Sequence, residues 1–132
     1  MDRVAAKGRW GTVEWATDAN GESPAKAFYE GLNDGDKAKM NALFGWLARD
    51  GRIPNREKFR KLGQQGGKKY SHLWEFKSFQ LRFLGDFQGN RFLVAHGVRK
   101  KKDSLSEGDK EKTVRILNEN AAFEARRKRG RK

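Results

Sequence analysis

The chain has 132 residues, 36 % of them apolar and 11 % aromatic, with 30 Lys and Arg against 17 Asp and Glu, a formal charge of +13. That length suits one domain with a modest core, and the charge calls for a polyanionic partner: nucleic acid, ribosome, membrane surface or acidic protein. Lack of cysteine excludes disulfides and thiolate chemistry, two histidines without cysteine argue against a structural zinc site, and no apolar run is long enough to cross a bilayer.

In chain order, "MDRVAAKGRWGTVEW" has no apolar signal-like region, so a cytoplasmic protein is expected. "GRWGTVEWA" (8–16) reads as a strand with Val13 and Trp15 on one face. Ser23 followed by Pro24 is a helix start, and the short helix would bury Phe28 and Leu32 before "NDGD" breaks it. Met40, Leu43, Phe44 and Leu47 then mark an amphipathic helix closed at Gly51. Phe59 and Leu62, three apart in "NREKFRKLG" (55–63), predict a further one or two helical turns, and "GQQGG" a loop.

Three strands follow, over about 70–78, 80–87 and 91–98, the last two joined by a tight turn at "GN" (89–90). Ser104 or Ser106 would cap a C-terminal helix burying Val114, Leu117 and Ala121. The final "RRKRGRK" holds six positive charges, and +7 remains without it; it lacks a packing face and is expected to be disordered. The expected architecture is thus a single domain over 1–125 with a basic tail over 126–132. It is α/β of the α+β kind, a small, mostly antiparallel sheet in the order β-α-α-β-β-β-α, with its helices on one side and the other sheet face left for function.

Strand alternation assigns those faces. Trp74, Phe76, Leu81, Phe83, Phe92 and Val94 point to the core, packed on Leu43, Phe44, Leu47 and Leu117. Glu75, Lys77, Arg82 and Arg91 share the opposite face, either as a solvated exterior or as a binding surface. His96, two after Val94, falls formally on the core side. It is either a strand-end histidine satisfied by backbone or, if Gly97 ends the strand, an imidazole that reaches the basic surface, where its ordinary pKa suits proton transfer. His72 is a second, weaker candidate. Arg99, Lys100, Lys101 and Lys102 form a basic run that is either a solvated loop or a set of phosphate contacts, and Arg126, Arg127, Lys128 and Arg129 can grip RNA, DNA or ribosome alike.

"LWEFK", then "QLRFLGDF", then "FLVAHGVRKK" leading into a charged helix, resemble the HigB-like branch of the RelE/ParE toxin superfamily over about residues 70–118. The resemblance implies a RelE-like fold and a toxin of a type II toxin–antitoxin system, a ribosome-dependent mRNA endoribonuclease that needs no metal or other cofactor. It implies an antitoxin partner, expected to be a helix-turn-helix protein from the adjacent gene, together with ribosome and mRNA, and no membrane. It suggests Lys77, Arg82, His96 and Arg99 or Lys100 for the site. Metal-free RNA cleavage needs a base for the 2′-OH, cations for the scissile phosphate and an acid for the leaving oxygen. Lys77, Arg82 and Arg99 can be the cations and His96 the acid or base. Glu75 is an alternative base, or an ion-pair partner of Lys77 or Arg82. The rival is a non-catalytic binder: a ParE-like gyrase inhibitor of the same fold, or an RNA- or ribosome-binding module.

Overall fold

The computed structural model describes residues 2–63, 67–100 and 105–129. Its centre is a six-stranded sheet in the order β1-β2-β6-β5-β4-β3. The strands are β1 (Val4–Lys7), β2 (Thr12–Trp15), β3 (Phe59–Lys61), β4 (Trp74–Ser78), β5 (Leu81–Gln88) and β6 (Arg91–Arg99). β2 runs parallel to β6, and every other neighbouring pair is antiparallel. Both edge strands are short, which limits the unpaired backbone offered to other chains.

Helices α1 (Pro24–Glu30) and α2 (Asp34–Asp50) cover one face. Ser23 caps α1 by accepting from the Lys26 amide, with Pro24 in the first turn. Asn33 caps α2 through the Asp36 amide, and Gly51, at φ 74°, ends it in the left-handed conformation that glycine adopts without penalty. "NDGD" therefore starts the second helix rather than merely breaking the first. Asp34 and Asp36 at its start and Arg49 at its end suit its dipole.

Under these helices lies an aromatic core. Phe44 meets Phe76, Phe83 and Trp15 edge-on, at ring separations of 4.9, 5.7 and 5.6 Å. Phe76, Phe83, Phe92 and Val94 are all buried there with Leu43 and Leu47, as strand alternation requires; Trp74 is half-buried, stacked on Phe59 at 4.9 Å.

The other face is not free. Helix α4 (Glu107–Arg129) lies across it, with Ile116 packed on Ala16, Leu93 and Ala95, and Leu117 and Val114 packed beside Leu73, Tyr70, Leu84 and Leu62. The helices thus occupy both sides of the sheet, and Leu117 belongs to the second side. The buried positions of α4 are Thr113, Ile116 and Asn120, while Ala121 is exposed and Val114 half-buried. The expected stripe is out of phase because two of the three buried residues are polar, and an apolar-only template passes over them.

Three further departures have local causes. β1 has no alternating apolar pattern in the sequence; its only large apolar side chain, Val4, is exposed, and it pairs as an edge strand with a register shift. Residues 56–58 make one turn, after which Phe59 enters β3 opposite Phe76 and Leu62 turns to the α4 side, so a spacing of three marks two faces rather than one helical stripe. Arg126–Arg129 are helical, forming the last turn of α4, where cations complement the helix dipole. The element order is β-β-α-α-β-α-β-β-β-α, the extra helix α3 (Gly67–Tyr70) being a single turn.

Phe44 is the hub of the aromatic core. Phe44→Ala is expected to lower stability by about 3–5 kcal/mol, measured by urea unfolding. Phe79→Ala, at a position 86 % exposed, should shift it by no more than about 0.5 kcal/mol.

Candidate functional site

An extra residue in β6 decides what faces α4. Leu84 pairs with His96 and Gly85 with Val94, so Ala95 is bulged out of the ladder. A Cβ on Gly85 would sit 1.9 Å from the Leu93 carbonyl oxygen, so the close backbone approach at the bulge needs glycine. Beyond the bulge the alternation reverses. Val94 points to the aromatic core, whereas His96 joins Leu84 on the α4 side, not the core side to which strict alternation assigns it. Gly97 does not end the strand; β6 continues to Arg99, and Gly97 makes room for Phe28, whose ring would lie 2.5 Å from a Cβ there.

The first turn of α4 meets His96 through a capping box. Ser106 Oγ accepts from the Asp109 amide at 3.1 Å, and Asp109 Oδ2 accepts from the Ser106 amide at 3.2 Å. The other carboxylate oxygen, Oδ1, lies 2.9 Å from His96 Nε2, and Lys100 Nζ reaches Oδ2 at 2.5 Å. Burial pushes the His96 imidazole below its ordinary value, Lys112 and Lys100 add to this, and Asp109 only partly opposes it. Burial alone would raise the Asp109 carboxyl, but hydrogen bonds from Lys100, His96 and Ser106 outweigh it and hold the group well below the usual carboxylate range. The pair is then a neutral imidazole donating Nε2–H to a carboxylate, which leaves Nδ1 as the basic nitrogen.

Next to this pair lies a buried ionic group. Glu75 is fully buried; its Oε1 accepts from Arg60 Nε at 2.6 Å and its Oε2 is 4.0 Å from Arg82 Nε. Arg82 is only 2 % exposed, so it is no surface arginine. Its Nη1 donates to the carbonyls of Phe79, at 2.5 Å, and Leu81, at 3.0 Å, bracing the β4–β5 turn. Lys77 stands opposite Arg82 in the ladder and is half-buried. Arg82 and His96 share a sheet face on neighbouring strands. Removing Arg82 would leave Glu75 short of a buried counter-charge, so Arg82→Ala is expected to destabilise the fold.

The remaining candidates lie apart. Arg99 points to the α1–α2 side and pairs with Asp36 at 3.0 Å. Arg91, at the far end of β6, is held by Glu14 at 3.0 Å and Glu124 at 2.7 Å. Arg126 donates to the Ala19 carbonyl, Arg127 lies over Phe123, and Lys128 and Arg129 are exposed. His72 pairs with Asp86 at 3.0 Å near the protein surface. Lys101 and Lys102 lie outside the described residues, as does Ser104. Among the described residues no three His, Asp or Glu side chains gather as a metal-binding group, and no helix is long and apolar enough to cross a membrane.

Sequence reasoning missed Asp109 and Arg60. Asp109 had a signal: Ser-Glu-Gly-Asp at 106–109 is a capping-box spacing. Arg60 had none, because its role depends on β3 pairing with β4. The chain matches no known protein-family model and no curated protein.

His96 and Asp109 both bind fewer protons folded than unfolded. Stability contributed by His96 is therefore present above its ordinary pKa of about 6.5 and is lost as pH falls below it; the Asp109 contribution is lost only at more acidic pH, below about 4. Urea unfolding at pH 7 and pH 5 should show a loss of stability in acid that is smaller in His96→Gln. Equal losses in the two proteins would remove this assignment.

Proposed function

We propose that the protein is a metal-independent RNA endonuclease of the RelE/ParE toxin type, acting on mRNA at the ribosome and held in check by an antitoxin. The observation that carries the reading is geometric: His96 and Lys100 lie together at the end of β6, both held by Asp109. An imidazole is a competent base toward a ribose 2′-OH, and an adjacent ammonium can stabilise charge on the scissile phosphate. Lys77 is the second cation. Arg82 becomes a positioning residue, because it is spent on Glu75 and on the turn carbonyls. Glu75 is an ion-pair partner rather than a base. Arg99, paired on the other face, drops out.

With His96 only 7 % exposed, the first turn of α4 must withdraw before a phosphate can reach the imidazole; Asp109 leaves with it, which uncovers His96 and releases Lys100 from its ion pair. Binding to the ribosome is the step that would supply the energy for this, and positioning by the ribosome offsets an otherwise sparse set of catalytic groups. The +13 charge suits both ribosome and RNA, and an antitoxin that covers such a chain would be acidic. The same burial favours the second reading, a binder that cleaves nothing.

In a translating extract the wild-type protein should cut message, mapped by primer extension. Folded His96→Gln should cut about 10²–10⁴-fold more slowly, and Lys100→Ala should also be impaired. Cleavage by folded His96→Gln at the wild-type rate would rule out the assigned base. Growth arrest by a wild-type protein that cuts nothing would favour the binder.

A further inference from the structure

Two clefts on the α2 side share one wall. The first, of about 700 Å³, is lined by Arg9, Trp10, Trp46, Arg49, Asp50, Arg52 and Pro54. The second, of about 540 Å³, lies between α2 and the β4–β5 turn, and its rim includes Trp46, Lys39, Lys58 and Phe79. Trp46 stands between them, so the two form one continuous track of aromatic rings and cations. None of these residues belongs to the His96 group, which lies on the opposite side of the sheet.

The rings are fixed in place. The Trp10 and Gly11 amides both donate to the Ala48 carbonyl, at 3.0 and 3.1 Å, clipping the β1–β2 loop to the end of α2. The Trp10 indole rests against Gly51, where a Cβ would lie 2.4 Å from the ring, and meets Phe87 edge-on at 5.7 Å. Phe79 is 86 % exposed and has a φ of 55°, a left-handed conformation unfavourable for a bulky side chain. The buried Arg82 guanidinium holds the Phe79 carbonyl. A large ring displayed on a strained, braced turn, with no apolar cover, is a contact residue more readily than a packing residue.

The charge of the track is one-sided. Five cations face one acid, Asp50. Asp50 is shared by Arg9 at 3.2 Å and Arg49 at 3.0 Å. Arg52, Lys39 and Lys58 make no ion pair among the described residues. Half-exposed or exposed rings alternating with unneutralised cations are the recognition chemistry of an unpaired polynucleotide, whose bases stack on rings while its phosphates meet cations. An acidic peptide would engage the cations but has no use for the rings, and a duplex hides its base faces.

We propose that this track binds single-stranded nucleic acid, with bases on Trp10, Trp46 and Phe79 and phosphates on Arg52, Lys39 and Lys58. Nothing in the track selects a 2′-hydroxyl, so RNA and DNA single strands share the site. The proposal stands independently of the nuclease reading, since it concerns affinity and involves none of His96, Asp109 or Lys100.

Fluorescence anisotropy of the full chain with labelled oligouridylate and oligodeoxythymidylate of about 12 nucleotides tests it. Both strands should bind, more tightly than the corresponding duplex, and a polyglutamate competitor should displace them poorly. Phe79→Ala should weaken binding about 5- to 100-fold while leaving the salt dependence unchanged, and Arg52→Ala should weaken it and lower the salt slope by about one. Arg115→Ala, which removes an equal charge from the outer side of α4, should leave affinity near wild type. Trp46→Phe, which keeps a ring, should bind more tightly than Trp46→Ala. Phe79→Ala binding like wild type, Arg115→Ala costing as much as Arg52→Ala, or the duplex binding as tightly as the single strand would each overturn the proposal.

Discussion

One bulged residue, Ala95, determines which chemistry this sheet presents to α4. Without it, the alternation set by Phe92 and Val94 would carry His96 into the aromatic core, where an imidazole has no polar partner. With it, β6 buries Phe92 and Val94 on one side and delivers His96 to the other. The capping box of α4 then supplies Asp109 to meet it, and Lys100, just past the end of the same strand, closes the group. Strand irregularity and helix start are thus coupled through a carboxylate that caps the helix with one oxygen and holds the histidine with the other.

The two faces divide the work of folding and of chemistry. The α1–α2 side gains most from apolar burial, with Phe44, Phe76, Phe83 and Phe92 all fully buried. The α4 side is costlier. Glu75 and Arg82 lie out of water, and their desolvation is offset only in part by mutual attraction and by Arg60. Such an arrangement does little for net stability, yet it fixes the β4–β5 turn, because Arg82 donates to the Phe79 and Leu81 carbonyls. A charge buried on one side of the sheet thereby sets the position of an exposed phenylalanine at its edge.

Much of the fold is legible in the sequence where a single period holds. The stripe Met40, Leu43, Phe44 and Leu47, the Ser-Pro start at 23–24, the Gly51 stop and the Gly89–Asn90 turn all read correctly, because each is a local rule with a local cause. Elements that depend on distant partners do not. β1 and β3 are edge strands of four and three residues whose identity comes from pairing with β2 and β4. The buried polar residues Thr113 and Asn120 on α4 hide its true face; Asn120 is buried because its side-chain oxygen accepts from the Thr17 amide and from Arg3. Among the candidate site residues, His96, Lys100, Arg82, Glu75 and Lys77 do share one face. The burial of His96 was not readable, since it depends on the start of α4 meeting the end of β6 through Asp109. The track of Trp10, Trp46 and Phe79 joins three separate segments and has no sequence pattern at all.

The central claim is that Asp109 ties the start of α4 to the end of β6. Amide hydrogen exchange of Asp109→Ala against the wild type tests it most directly. Loss of the shared carboxylate should speed exchange in the first two turns of α4 and over residues 96–99 by about tenfold or more, with the α2 and β1–β2 amides unchanged. Unaltered protection at the start of α4 and the end of β6 in that variant would contradict the account.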